Sequence, residues 1–346
     1  MAKAKKLKSG SWRVRVFSHY ETVDGKQTAK YASFTAPTRS EAEMMATKFQ
    51  NDKGRFKRCE FTVLEAVEKY IESKEHVLSP STIRSYEVIK NRHIALIGAF
   101  RVDCLTNADL QHWINTLSAD KSAKTVKNAY GLVMAAISLY SDRVFRVTLP
   151  ARQPVEYSIP SDDDVRRMMD KARPDLKIAI ALASVGTLRR GEICSLKYKD
   201  ILKDFSAVYV HSDMVLDKNN NWVYKDIPKT SDSVRRVELP AEIIDMLGDG
   251  DPEDFIIKST PAAITDVFCR LRDSLGLTCR FHDLRHYAAS ILHAIGVPDQ
   301  YIMQRGGWST DGTLKAVYRN TLSDKEKRFT DKANDYFSKN LLNNNA

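Results

Sequence analysis

The apolar residues of this chain do not keep a single period, and that limits its possible folds more than any other feature. Near the start, Trp12, Val14 and Val16 alternate with Arg13, Arg15 and Phe17, the two-residue period of a half-buried strand. Asp24-Gly25 is a hairpin-turn signal, and Lys30 to Phe34 supply a later strand. Thr38-Arg39-Ser40-Glu41 has the form of a capping box and predicts a helix to about Lys53. A second capping box, Thr62-Val63-Leu64-Glu65, opens a stretch that is helical to about Asp142. There Val63, Val67, Tyr70 and Ile71 share one stripe, and Ser79-Pro80-Ser81-Thr82 starts the next helix. Further helices start after Thr106-Asn107 and at about Ser122. Pro150, Pro154 and Pro160 then interrupt regular structure.

Beyond residue 161 both periods occur. Helices are predicted at about 162–172, 176–186, 241–247, 261–275, 283–295 and 298–305. Three short strands are predicted between them, at about 206–215, 222–228 and 234–239. Asn219-Asn220-Asn221 and Lys229-Thr230-Ser231-Asp232-Ser233 form the turns between the strands. The expected fold is therefore α+β and multidomain. A small three-stranded sheet with one helix occupies 1–58, an all-helical domain 59–145 and a linker 146–160. A mainly helical domain with a small antiparallel sheet occupies 161–346.

Charge separates the first of these domains from the rest. The chain carries +10 overall, and residues 1–58 hold 14 Lys+Arg against 5 Asp+Glu, a net of +9. A basic segment with patterned sequence attracts polyanions by releasing their counterions. The sheet face bearing Arg13 and Arg15 is expected to meet DNA, as are Lys124 and Lys127 in the helical domain. Cys59, Cys104, Cys194, Cys269 and Cys279 are odd in number and form no CxxC pair, which points away from a zinc site or a disulfide framework. The basic start lacks an apolar run after it, and the longest such run, Ile178 to Val185, is too short to cross a bilayer. A cytoplasmic protein with no membrane partner is expected.

The chemistry lies in four residues taken in order: Arg189, His282, Arg285 and Tyr318. They sit in Thr187-Leu188-Arg189-Arg190-Gly191-Glu192, in Phe281-His282-Asp283-Leu284-Arg285-His286 and in Lys315-Ala316-Val317-Tyr318-Arg319. Two arginines, a histidine and a tyrosine can hold a phosphodiester, move protons and attack phosphorus with no metal or other cofactor. Glu192, three residues beyond Arg189 on a helix, is placed to brace that guanidinium. The set points to an enzyme that breaks and rejoins DNA through a phosphotyrosine.

With Lys229 in the second hairpin turn and Gly307-Trp308-Ser309 before Tyr318, these motifs resemble the tyrosine recombinases, specifically integrases of phages and mobile elements. The resemblance covers about 161–330 in the catalytic domain. It implies an arm-binding domain over 1–58 and a core-binding domain over 59–145. Arg189 and Arg285 are then expected to hold non-bridging phosphate oxygens, with Tyr318 as nucleophile and His282 as proton acceptor or phosphate donor. Lys229, like the family's hairpin lysine, is the general acid. Trp308 can donate only its indole N–H to a phosphate oxygen.

Nearby rivals exist for several roles: Arg190 for Arg189, Lys225 for Lys229, Tyr287 and Tyr301 for Tyr318. His286 and His293 are read as structural, on the buried side of their helix. Three departures stand out. Trp308 takes a place that is histidine in most relatives, its spacing to Tyr318 is one residue longer than usual, and Gly186-Thr187 replaces the usual Thr-Gly.

Ser323-Asp324-Lys325-Glu326 opens a C-terminal helix whose Phe329, Ala333, Tyr336 and Phe337 share one stripe, expected to dock on a neighbouring protomer. The resemblance implies double-stranded DNA attachment sites, a tetramer on DNA, host DNA-bending or excision factors, and a nucleoid-associated place in a bacterial host cell. Two alternatives stay open at this point, a type IB-like topoisomerase and a catalytically silent DNA-binding protein.

Overall fold

The computed structural model describes residues 4–7, 9–23, 26–55, 61–152, 158–226 and 234–310, with single positions beyond. Lys229, Tyr318 and the C-terminal stripe lie outside the described residues. The chain divides into two units, residues 1–77 with 86–152, and residues 78–85 with 153–346.

In the first unit β1 (Lys5–Lys6), β2 (Trp12–Val23) and β3 (Lys26–Ala36) form an antiparallel sheet in that order. The β2–β3 ladder runs from Trp12↔Ala36 to Val23↔Lys26, so both strands exceed their expected lengths. The added residues are mostly polar and show no apolar alternation, so the pattern stopped short of them. Val14 and Val16 point inward, 0% and 4% exposed, onto α1 (Arg39–Arg55). Ala42 and Ala46 of α1 are small enough to let the helix lie against them. Thr38 and Glu41 cap α1 reciprocally. The opposite sheet face carries exposed Arg13, Arg15, Phe17 and Tyr31, with the Arg15 guanidinium 5.2 Å from the Tyr31 ring centre.

The helical part has α2 (Val63–Lys74), α3 (Pro80–His93), α4 (Ala95–Gly98), α5 (Asn107–Ser118) and α6 (Ala123–Ser138). Capping boxes at Thr62/Glu65 and Thr106/Asp109 satisfy the first amides of α2 and α5. Val63, Val67, Ile71, Leu110, Trp113, Val133 and Ile137 are buried, and Lys124 and Lys127 of α6 are exposed. The start of the expected linker is fastened: Arg146 N donates to Asn107 Oδ1 at 3.0 Å and Thr148 N to Gln111 Oε1 at 2.7 Å.

The second unit has α7 (Asp162–Lys171), α8 (Pro174–Ser184), α9 (Arg190–Ser195), β4 (Ile201–Leu202), β5 (Ala207–Val210), β6 (Asp213–Leu216), β7 (Trp222–Lys225) and β8 (Arg235–Glu238). Then follow α10 (Ala241–Leu247), α11 (Pro261–Ser274), α12 (Asp283–Ala294) and α13 (Asp299–Gly306). α8 contains most of the longest apolar run and is the central core helix, buried from Ala179 through Ser184. No helix among the described residues is long and apolar enough to cross a membrane.

The strand expected over 206–215 is two strands. β5 pairs in a sheet ordered β4-β5-β8, and β6 pairs with β7 in a separate two-stranded sheet. The break falls at His211-Ser212, where the buried Ser212 hydroxyl bonds Ser195 Oγ at 3.0 Å and His211 Nε2 lies 3.0 Å from Asp200 Oδ1. These contacts across the fold divert the chain from one sheet to the other.

Candidate active site

Four segments meet at one place: the turn 186–188 with α9, strand β8, the start of α12, and the Gly306-Gly307-Trp308 turn that ends α13. Buried Leu188 anchors the first of these, and Thr187 beside it has φ +60°. A β-branched residue in that region costs about 1–3 kcal/mol and persists only where its surroundings enforce it. Here the Thr187 hydroxyl donates to the Arg305 carbonyl at 3.0 Å, and its own carbonyl accepts from Arg285 Nη1.

Arg189 caps α9. Its Nη1 donates to Glu192 Oε1 at 2.6 Å, its backbone N to Oε2 at 2.7 Å and its Nη2 to the Gly307 carbonyl at 2.7 Å. Arg285 is 1% exposed. Its Nη2 donates to the Gly306 carbonyl at 2.5 Å, and the Trp308 ring centre lies 4.1 Å from its Cζ, a cation–π contact. Gly306 is required there, since a Cβ would stand 2.2 Å from the Trp308 ring. Gly307, at φ +61°, makes the turn. Arg285 Nε has no hydrogen-bond partner among the described residues. A buried donor left over in this way is a natural partner for ordered water or a ligand atom.

Glu192 is the counter-charge. Burial alone would raise its carboxyl, but Arg235, Arg189 and Arg285 together outweigh burial and hold it below the ordinary carboxylate range. Burial, with the Arg189 guanidinium close by, disfavours the charged form of Arg285. An anion brought against the pair would relieve that repulsion.

Similarity to known proteins agrees with this geometry. The phage integrase family model matches residues 161–325, and the N-terminal SAM-like domain of phage integrases matches residues 62–118, more than half of the chain between them. The chain belongs to the phage integrase family of tyrosine recombinases.

A XerC-like tyrosine recombinase of Caldanaerobacter subterraneus is 23% identical, the match covering 75% of this recombinase and 78% of the relative. The integrase of Salmonella phage P22 is 23% identical over 48% of this chain and 44% of its own. Among solved structures, the Tn1549 transposon integrase in complex with transposon right-end DNA superposes at TM-score 0.61, with 16% identity and coverage of 77% and 99%. A lambda integrase tetramer bound to a Holliday junction superposes at 0.58, with 16% identity and coverage of 91% and 94%. At that identity the likeness is one of fold.

Within the recombinase, Arg189 and His282 line one cleft with Arg190, Asp213 and Arg280, while Arg285 lies buried against the Trp308 ring. His282 has an exposed side, but its pKa is pushed down to about 4, first by loss of hydration and then by the Arg285 guanidinium. His286 behind it is buried and also held at about 4. A histidine with such a depressed pKa is neutral at physiological pH, and it becomes a stronger base only when an anion nearby offsets the Arg285 charge. In an NMR titration the ring signal lost in His282→Gln should titrate near pH 4; one titrating near pH 6.5 would contradict this environment.

His293 departs from expectation. It is half-exposed at the end of α12, its Nδ1 3.4 Å from Asp299 Oδ1 at the start of α13. Of the rival tyrosines, the Tyr287 hydroxyl donates to Asp162 at 2.8 Å and Tyr301 is 56% exposed. Lys225 pairs across from Asp213 at the end of β7.

Two residues of the cluster escaped the sequence reading, Arg235 and Asp213. Arg235 was detectable: it shares the inward face of β8 with Val237, and charge at an inward strand position is rare. Asp213 packs its carboxylate against Gly191, where a Cβ would lie 1.9 Å from Oδ1. Burial, then Glu192, push its pKa up to about 6. The folded state therefore holds this proton more tightly than the unfolded chain, and stability falls as pH rises between about 4 and 6. Asp213→Asn should raise stability at pH 7.5 by roughly 1–2 kcal/mol and leave it unchanged below pH ~4, measured by urea unfolding. No gain at pH 7.5 would count against a strained carboxylate.

Proposed function

We propose that this recombinase integrates and excises a mobile genetic element by cutting and rejoining attachment-site DNA through Tyr318. The observation that carries the reading is the convergence of Arg189 and Arg285 on one buried cluster, with neutral His282 at its edge. Arg189 and Arg285 hold the non-bridging oxygens of the scissile phosphate and meet the charge that grows in the pentavalent transition state. The Tyr318 oxygen bonds phosphorus while the bond from phosphorus to the 5′-oxygen breaks. The phenol proton passes to His282, and Lys229 protonates the departing 5′-oxygen. The Trp308 ring stacks on Arg285, and its indole N–H donates to a phosphate oxygen. Attack by a partner strand's 5′-hydroxyl reverses the step and expels Tyr318, so bond energy is retained and no nucleotide cofactor or metal is consumed.

Residues 1–58 act as the arm-binding domain, reading DNA with the face of Arg13, Arg15 and Tyr31. Residues 59–145 act as the core-binding domain, with Lys124 and Lys127 at the backbone, joined through 146–160 to the catalytic domain 161–346. The partners are double-stranded attachment sites and three further copies of the chain. Solved relatives of this fold include a lambda integrase tetramer on a Holliday junction, which supports that assembly. Host bending or excision factors act on the same complexes in the cytoplasm.

A plasmid carrying both element ends tests this reading. The purified protein should yield Holliday junctions and exchanged products in EDTA. Relaxed plasmid with neither product would overturn strand exchange.

A further inference from the structure

We infer that Arg235 is a positioning residue for strand cleavage, which holds Glu192 so that Arg189 keeps donors free for the phosphate. The inference rests on the functional reading above. The Arg235 side chain is 4% exposed and divides its fork across the carboxylate, Nη1 to Glu192 Oε1 at 3.2 Å and Nη2 to Oε2 at 3.0 Å. Its Nε donates to the Arg305 carbonyl at 2.7 Å. Its neighbour Arg236 points outward and pairs with Glu238, so the inward placement belongs to Arg235 alone of the two.

One carboxylate beside one arginine normally closes into a two-pronged pair that consumes the fork of the guanidinium. Here Arg235 spans both Glu192 oxygens. The Arg189 side chain reaches only Oε1, through Nη1, while its Nη2 turns to the Gly307 carbonyl. Arg189 thus stays one-third exposed, with N–H groups uncommitted to Glu192. Neutralising Glu192 would need only one arginine; the second buried cation is desolvated at a cost that an ion pair seldom recovers as stability. The geometry explains its presence by position. The Arg305 carbonyl that receives Arg235 also receives the Thr187 hydroxyl, and Thr187 O receives Arg285. Arg235 therefore ties the settings of Arg189 and Arg285 to β8.

The test is single-turnover cleavage by the full-length protein on two DNAs, one with an ordinary scissile phosphate and one with a neutral methylphosphonate there. On the ordinary substrate Arg235→Met should bind DNA within about threefold of wild type and cleave roughly 100-fold more slowly. Arg235→Lys, which can grip one Glu192 oxygen, should fall between them. On the methylphosphonate the arginine has less charge to neutralise, so the Arg235→Met and Arg189→Ala defects should shrink together. Wild-type rates in Arg235→Met, or a defect that persists on methylphosphonate while that of Arg189→Ala shrinks, would overturn the inference. Arg235→Lys keeps the test decisive if the methionine variant fails to fold. Absence of any adduct from wild type would withdraw the functional reading, and this inference with it.

Discussion

Arg285→Lys should lower the rate of covalent adduct formation by about 10³-fold or more, with DNA affinity within a few fold of wild type. The guanidinium serves two purposes at once. It donates to the carbonyls of Thr187 and Gly306 and presents a flat face to Trp308. An ammonium is a point charge that cannot span two carbonyls, stack on an indole and still face a phosphate. Affinity should survive because protein–DNA affinity is generally carried by many backbone contacts, of which one arginine is a small part. Single-turnover trapping on a nicked substrate, beside a filter-binding titration, separates the two quantities. A rate within about tenfold of wild type would show that Arg285 holds the fold together without meeting the phosphate.

Glu192→Ala should bring the largest loss of stability of any single change in the cluster, about 3–5 kcal/mol. Glu192 is 3% exposed and is the acceptor for both Arg189 and Arg235. Its removal takes from Arg189 and Arg235 the buried carboxylate that accepts from both, and from Arg285 a nearby opposite charge. Thermal unfolding should drop by roughly 10 °C. Glu192→Gln keeps the size but offers an amide N–H to a guanidinium, so it should recover only part of the loss. A midpoint within about 2 °C of wild type for Glu192→Ala would contradict the arrangement of charges described above.

Much of the architecture was legible because its signals are local. The capping boxes at Thr38 and Thr62, the helix start after Thr106-Asn107 and the alternation at Trp12–Val16 each reflect residues a few positions apart. The motif residues Arg189, Glu192, His282 and Arg285 were legible for a different reason: polar types in a fixed order narrow the chemistry even before the fold is known. What escaped the reading depends on contacts between distant segments. The split of the expected 206–215 strand arises where Ser212 reaches Ser195. Thr187 sits at φ +60° because Arg305 and Arg285, more than 90 residues away, hold its two oxygens. Arg235 reads as an ordinary member of a basic pair until β8 turns it inward onto Glu192. Lys229 and Tyr318, named from the hairpin and from the spacing past Trp308, lie outside the described residues.

The most direct measurement is therefore chemical. Wild type and Tyr318→Phe are incubated in EDTA with a nicked DNA carrying the element's end, and any adduct is digested and mapped by mass spectrometry. A DNA adduct in wild type alone, on the peptide containing Tyr318, is the predicted result. An adduct on Tyr287 or Tyr301, one that survives in Tyr318→Phe, or none at all with DNA binding intact, would contradict Tyr318 as the nucleophile.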